Sequence, residues 1–270
     1  MAQGLATALF PSDCRLCGLP LTNFSRLPVC TDCVAAIVPS RLPGCAICGE
    51  RVFSTHATQN GVTLCGECRF EAPEFTRAAA FSAYDGGLRE LIQLLKYEHV
   101  RPAASPLGNM LAQVLLTLSA EFGEQPPIVA LVPLHSSKLR QRGYNQSELI
   151  ARVALRQFRT AKMEPLQLEP KLLVRIRPTV SQTGLTRSQR QQNVRGAFTV
   201  LRPDLTAGRD ILVIDDVLTT GTTARECARV LRQAGAERVF VATVARVFAP
   251  ESRLEPTDVL VSARTQAAHA

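Results

Sequence analysis

The chain has 270 residues, 46% of them apolar and 20% charged, with a formal net charge of +8; these proportions exclude a disordered polymer and suit one medium globular domain plus a small one. No apolar run approaches the roughly 18 residues that span a bilayer, so no membrane insertion is expected. The charge is uneven: residues 131–200 hold thirteen Lys or Arg against three Glu, a local +10, and the remainder sums to −2, which points to an anionic partner, polyphosphate or nucleic acid, without separating the two.

Met1 to Phe10 has neither a basic n-region nor a long apolar core and reads as a short amphipathic helix, with Leu5, Leu9 and Phe10 on one side, rather than as a signal peptide. A cytoplasmic protein is the expectation. Eight of the nine cysteines precede residue 70, as four C-x-x-C knuckles: Cys14/Cys17, Cys30/Cys33, Cys45/Cys48 and Cys65/Cys68. Two thiolates on one tight turn can ligate a zinc ion, and two such turns complete a tetrahedron. Gly18 and Gly49, behind the first and third knuckles, let backbone N–H groups approach the sulfurs. A disulfide framework needs an oxidising compartment, and a redox dithiol is one knuckle beside a βαβ unit rather than four in series. Two structural zinc ions are therefore expected. Sequential pairing is simplest, with Cys14, Cys17, Cys30 and Cys33 on one ion and Cys45, Cys48, Cys65 and Cys68 on the other; a cross-braced pairing stays open. The apolar patches here are short, such as Val34 to Val38, so metal is expected to supply much of the folding energy. His56, in the second gap, reads as a loop residue.

Residues 1–70 thus read as a double zinc-ribbon module with a short N-terminal helix, and 71–77, with Pro73, as a linker. The body, 78–248, alternates strand and helix patterns. A strand at 78–84 is followed by Asp85-Gly86-Gly87, a turn that can cap a helix. Leu88, Leu91, Ile92, Leu94 and Leu95 then recur at helical spacing, and Lys96 at the helix end reads as a surface residue complementing the dipole. A helix at Leu107–Leu118 and a buried strand at Ile128–Val132 come next. That strand runs into Pro133–Gln146, where Lys138, Arg140 and Arg142 stand where open α/β sheets bind ligands; Arg suits multidentate phosphate contact and Lys point-charge contact. His135 has no partner visible in the sequence. A helix at Asn145–Phe158 and a strand at 172–176 lead into a polar segment, 177–198, in which Thr186 and Gln189 have capping-box spacing.

Residues 211–223 carry the central pattern, Ile-Leu-Val-Ile-Asp-Asp-Val-Leu-Thr-Thr-Gly-Thr-Thr. Four apolar residues make a buried strand, Asp215 and Asp216 stand where it leaves the sheet, and Thr219, Thr220, Gly221, Thr222 and Thr223 form a small-residue turn opening a helix to about Ala234. Unpaired N–H groups at such a helix start bind phosphate, and the two carboxylates can accept hydrogen bonds from sugar hydroxyls. The implied ligand is a ribose 5-phosphate. Cys227, inside that helix, reads as a small packed hydrophobe. Gly235 and a strand at Arg238–Ala245 complete the body, and 249–270 is a polar tail. The five strands specify a parallel-rich sheet with helices on both faces.

The 211–223 stretch resembles the PRPP-binding motif of type I phosphoribosyltransferases. With the doubled C-x-x-C front end, the Lys-x-Arg-x-Arg-Gly-Tyr-Asn-Gln segment and the stretch Arg177 to Phe198, the chain from about Phe10 to Val247 resembles the ComF/GntX family of competence-related, phosphoribosyltransferase-like proteins. The resemblance implies a phosphoribosyltransferase-like domain over 78–248 that binds PRPP with Mg²⁺, with Lys138, Arg140 and Arg142 near the diphosphate and Gln182, Arg187 and Arg190 on a lid over it. Two functions stay open: glycosyl transfer from PRPP to an unidentified acceptor, and a non-catalytic PRPP-fold protein that binds single-stranded DNA or the DNA-uptake machinery. Only five arginines, Arg15, Arg26, Arg41, Arg51 and Arg69, lie in the first 70 residues, too few for the module to be the main DNA surface.

Overall fold

The computed structural model describes residues 13–21, 26–53, 58–59, 61–161, 163–179 and 186–248. The N-terminal helix, His56, Gln182 and the polar tail lie outside them. Among the described residues no helix is long and apolar enough to cross a membrane.

The cysteine-rich part contains two short helices, α1 (Thr31–Ala35) and α2 (Gly66–Phe70), each starting at a knuckle, and a two-stranded ribbon of β1 (Thr58–Gln59) and β2 (Val62–Thr63). The body then runs β3 (Arg77–Ala83), α3 (Gly86–Tyr97), α4 (Ala104–Ser119), β4 (Ile128–Leu131), α5 (Ser136–Arg142), α6 (Gln146–Thr160), β5 (Gln167–Glu169), β6 (Leu173–Arg175), α7 (Arg187–Val194), β7 (Phe198–Val200), α8 (Pro203–Thr206), β8 (Asp210–Leu218), α9 (Thr222–Gln233) and β9 (Arg238–Arg246). Five strands form one sheet in the order β3-β9-β8-β4-β5, with every neighbouring pair parallel.

Alternate residues of the central strands feed opposite faces, as a strand's period of two requires. Val129, Leu131, Leu212, Ile214, Phe240 and Ala242 join α3, α4 and α6 in one apolar core. Ile128, Ala130, Ile211, Val213, Val239 and Val241 join α9 and the β6–β7 hairpin in the other. The segment before β3 is packed as well: Phe75 is buried in the second core and the Thr76 N–H donates to the Val239 carbonyl at 2.7 Å.

Two expectations are corrected. The strand at 172–176 is not part of the parallel sheet; Leu173–Arg175 pairs antiparallel with Phe198–Val200 in a separate hairpin. The fifth parallel strand is β5, a short, half-buried edge strand with no apolar run to announce it. The strand of the central motif also does not end at the acidic pair. It continues to Leu218, with Asp215 opposite Thr243 and Val217 opposite Ala245 on β9. On its other side, strand pairing with β4 stops at Leu131 opposite Ile214. The acidic pair therefore lies within β8 beyond the end of β4, where the chain order around the sheet changes direction. That is the switch point at which open α/β sheets form a ligand crevice.

Candidate functional site

A crevice of about 230 Å³ opens at this point, walled by Asp215, Asp216, Thr219, Gly221 and Thr223 from the end of β8 and the turn, and by Lys96, Lys138, Gln146, Arg175 and Thr179 from four other segments. Gly221 makes the turn possible: its φ of 74° is left-handed backbone, which glycine adopts without steric cost. It caps α9, a twelve-residue helix whose first-turn N–H groups and dipole favour an anion. The Thr220 and Thr222 hydroxyls hydrogen-bond each other at 2.8 Å, and Thr222 is buried.

The carboxylates are held differently. Asp216 is buried and forms an ion pair with Lys96, Nζ to Oδ2 2.8 Å. Burial alone would lower the Lys96 pKa; the Asp216 charge overrides it and holds the ammonium above its ordinary value. Asp215 is half-buried at the wall and accepts hydrogen bonds from Ser147 Oγ at 3.0 Å and from the Asp216 N–H at 2.9 Å. Loss of solvation, followed by the neighbouring Asp216 charge, pushes its carboxyl up to about 7 against the pull of Lys96 and these hydrogen bonds.

Cations gather opposite. Lys138 lowers its pKa through burial and then through the nearby charges of Arg175, Arg142 and Lys96. Arg175 reaches the crevice from the β6–β7 hairpin, donates to Thr179 Oγ1 and stacks over Phe198. Its Nε is buried without a hydrogen-bond acceptor among the described residues. Of the three basic residues expected at the diphosphate, only Lys138 lines the crevice. Arg140 is exposed, and Arg142 turns to Gln146 Oε1 and to the face of Tyr97. His135 caps α5, accepting at Nδ1 from the Ser137 N–H at 3.3 Å. Arg187 and Arg190 lie on α7, which has the full Thr186–Gln189 capping box and packs beside α9; among its described side chains none lines the crevice. Cys227 is fully buried in α9, and burial raises its thiol pKa, so it is a core residue.

Two residues were missed by the sequence reading. Lys96, expected as a dipole-complementing surface residue, is a half-buried wall of the site; Arg175, expected in a sheet strand, lies on the β6–β7 hairpin. The only early signal for Arg175 was its position in the basic segment.

The cysteines converge as two tetrads, Cys14, Cys17, Cys30 and Cys33, and Cys45, Cys48, Cys65 and Cys68, each with sulfurs within 4.8 Å of one another. This is the sequential pairing. Four thiolates about a tetrahedral ion at about 2.3 Å stand about 3.8 Å apart, and Cys17–Cys30 and Cys48–Cys65 are 3.8 and 3.6 Å apart. The N–H groups of Cys30 and Cys33 donate to Cys14 and Cys30 sulfurs, and that of Cys68 to Cys65. The donor set fits a closed metal site.

By fold, the body is phosphoribosyltransferase-like, and the phosphoribosyl transferase domain family matches residues 153–268, which include β8 and α9. A DNA utilization protein YhgH of Salmonella typhimurium is 30% identical over 239 residues, covering 88% of this chain and 98% of that protein. Competence protein F of Haemophilus influenzae is 27% identical over 230 residues, covering 83% and 93%. The chain belongs to the ComF/GntX family. A solved hypoxanthine phosphoribosyltransferase of Staphylococcus aureus is 15% identical, with a TM-score of 0.34 over 54% of this chain and 65% of its own.

Proposed function

We propose that the crevice binds PRPP, serving a DNA-utilization role like that in the names of the relatives. The observation that carries this reading is the juxtaposition of an acidic pair and a helix N-terminus with Lys138 and Arg175 across about 230 Å³. The 5-phosphate rests on the Thr219–Thr223 turn, the ribose hydroxyls donate to Asp215 and Asp216, and the diphosphate faces the cations. Mg²⁺ keeps several waters and takes few protein ligands; carried by the diphosphate, it would add to charge neutralisation there, with Asp215 and Asp216 the carboxylates at hand. The reaction class this suits is glycosyl transfer: the bond from the anomeric carbon to the diphosphate breaks with its electron pair leaving on the diphosphate, and an acceptor's lone pair forms the new bond. Such a step needs positioning and charge stabilisation rather than a side-chain nucleophile. The two cysteine tetrads hold structural zinc ions, and their all-thiolate closure keeps them out of the chemistry.

Calorimetry with PRPP and Mg²⁺ is expected to show saturable binding that Asp215→Asn with Asp216→Asn abolishes; no heat with the wild type sinks the assignment. Diphosphate release with one nucleobase or amine acceptor would name the substrate. A second reading, binding of single-stranded DNA, is favoured by the exposed Arg140 and by Tyr97, 69% exposed beneath Arg142. Its affinity is expected to fall steeply with salt, and a salt-insensitive interaction counts against it.

A further inference from the structure

We propose that Lys96 is a further ligand-binding residue of the crevice: its ammonium, paired here with Asp216, turns to the diphosphate of a bound sugar as Asp216 accepts the sugar hydroxyl. The inference rests on the PRPP reading of the site and deepens it.

Lys96 sits in the last turn of α3, its side chain 16% exposed against 5% for Asp216, with 2.8 Å between Nζ and Oδ2. Desolvating two charges offsets much of their attraction, so such a pair is weak evidence for a purely stabilising role. Both members also face the crevice. Three cations, Lys96, Lys138 and Arg175, line it against two carboxylates, and Lys138 feels the charge of the other two. An entering polyanion therefore meets positive charge that the protein does not itself neutralise.

The position of Lys96 follows from the connectivity of the sugar. In PRPP the carbon bearing the diphosphate is bonded directly to one bearing a hydroxyl. A carboxylate that holds the hydroxyl pair thus stands beside the diphosphate, and an ammonium on that carboxylate needs only rotation of its flexible four-carbon stem to reach a phosphoryl oxygen. With a sugar lacking the diphosphate, the ammonium has nothing to turn to and competes with the hydroxyl for Asp216. Lys96 should therefore favour one ligand and not the other.

The test is calorimetry of PRPP with Mg²⁺ and of ribose 5-phosphate on the wild type, Lys96→Met and Lys96→Arg. The expected result is at least a tenfold loss of PRPP affinity in Lys96→Met, ribose 5-phosphate held within about twofold or tightened, and PRPP affinity largely restored in Lys96→Arg. Equal loss for both ligands, or an unchanged PRPP affinity, overturns the proposal. If Lys96→Met does not fold, Lys96→Met with Asp216→Asn leaves no charge buried alone; compared with Asp216→Asn, it must show the same fall in the PRPP to ribose 5-phosphate ratio, and an unchanged ratio overturns the proposal. A wild type that binds neither ligand removes the PRPP reading itself, whereas binding of both with a ratio indifferent to Lys96 removes only the role of Lys96.

Discussion

Asp215 and Asp216 are neighbours on one strand, yet Asp216 has an ammonium at 2.8 Å while Asp215 has the Ser147 hydroxyl and one backbone N–H. Burial and the adjacent charge therefore raise the Asp215 carboxyl to about 7, above the roughly 3.9 of an unfolded aspartate. Between these values the folded chain holds a proton that the unfolded chain has released, so stability falls as pH rises through the window and levels off above it. The contribution of Asp215 is greatest below pH 4 and lost by about pH 8. Thermal melts of the ligand-free protein at pH 5 and pH 8 are expected to show this fall, and Asp215→Asn to flatten it; an identical pH slope in the variant would show that Asp215 is ionised throughout. The acidic pair was legible in the sequence because strand, turn and helix signals surrounded it. The different partners of its two members were not, since they depend on Lys96 and Ser147, far away in the chain and brought in by α3 and α6.

At the scale of elements, helix and strand patterns gave the existence of most segments but not always their partners. The apolar run around Leu173 has the same appearance whether it packs into a parallel sheet or pairs in a hairpin, so its membership in the β6–β7 hairpin could not be read from it. Edge strand β5 offers only Gln167, Leu168 and Glu169, and an edge needs no apolar signature. The capping box of α7, by contrast, is local chemistry, and Thr186 and Gln189 form it as spaced. Helix packing adds a constraint hidden in one residue. Gly108 on α4 faces α6 so closely that a Cβ there would lie 2.4 Å from Val153 Cβ and 3.0 Å from the Ile150 carbonyl oxygen. Alanine is the better helix former by roughly 1 kcal/mol, but overpacking of this kind costs about 1–3 kcal/mol. The contact with backbone limits relaxation, so Gly108→Ala is expected to lower stability by about 1 kcal/mol in urea unfolding. Adding Val153→Ala should recover most of the loss. A more stable single variant would mean that the helices separate freely.

Across the whole molecule, the two cysteine tetrads are built into different halves of the body. Cys14, Cys30 and Cys33 pack with the core of α3, α4 and α6, whereas Cys45, Cys48 and Cys68 pack with the core on the other face of the sheet. The module is also tied to the ends of the strands and helices that make the crevice. Arg246, at the end of β9, donates to the Cys48 carbonyl at 2.7 Å and pairs with Glu50 at 2.9 Å, while Arg225, in the first turn of α9, pairs with Glu67 of α2 at 2.7 Å. Edge strand β3 is capped by the same module, through the Ala78 N–H to the Ile47 carbonyl at 2.6 Å and the Ser40 N–H to the Phe81 carbonyl at 2.8 Å. Cysteine spacing revealed the tetrads but gave no sign of these attachments, which join residues up to 198 positions apart. Metal binding free energy is folding free energy where the site forms only in the folded chain, and an ion held by either tetrad would share it with the core that tetrad packs against. Metal analysis is accordingly expected to find two zinc ions per chain. Stripping them with a chelator under reducing conditions should lower the melting temperature of the entire chain in one calorimetric transition, and Cys45→Ser should weaken PRPP binding through the displaced ties to β9 and α9. Two separate transitions, with the body melting at its original temperature and binding PRPP unchanged, would show instead that the module folds and fails on its own.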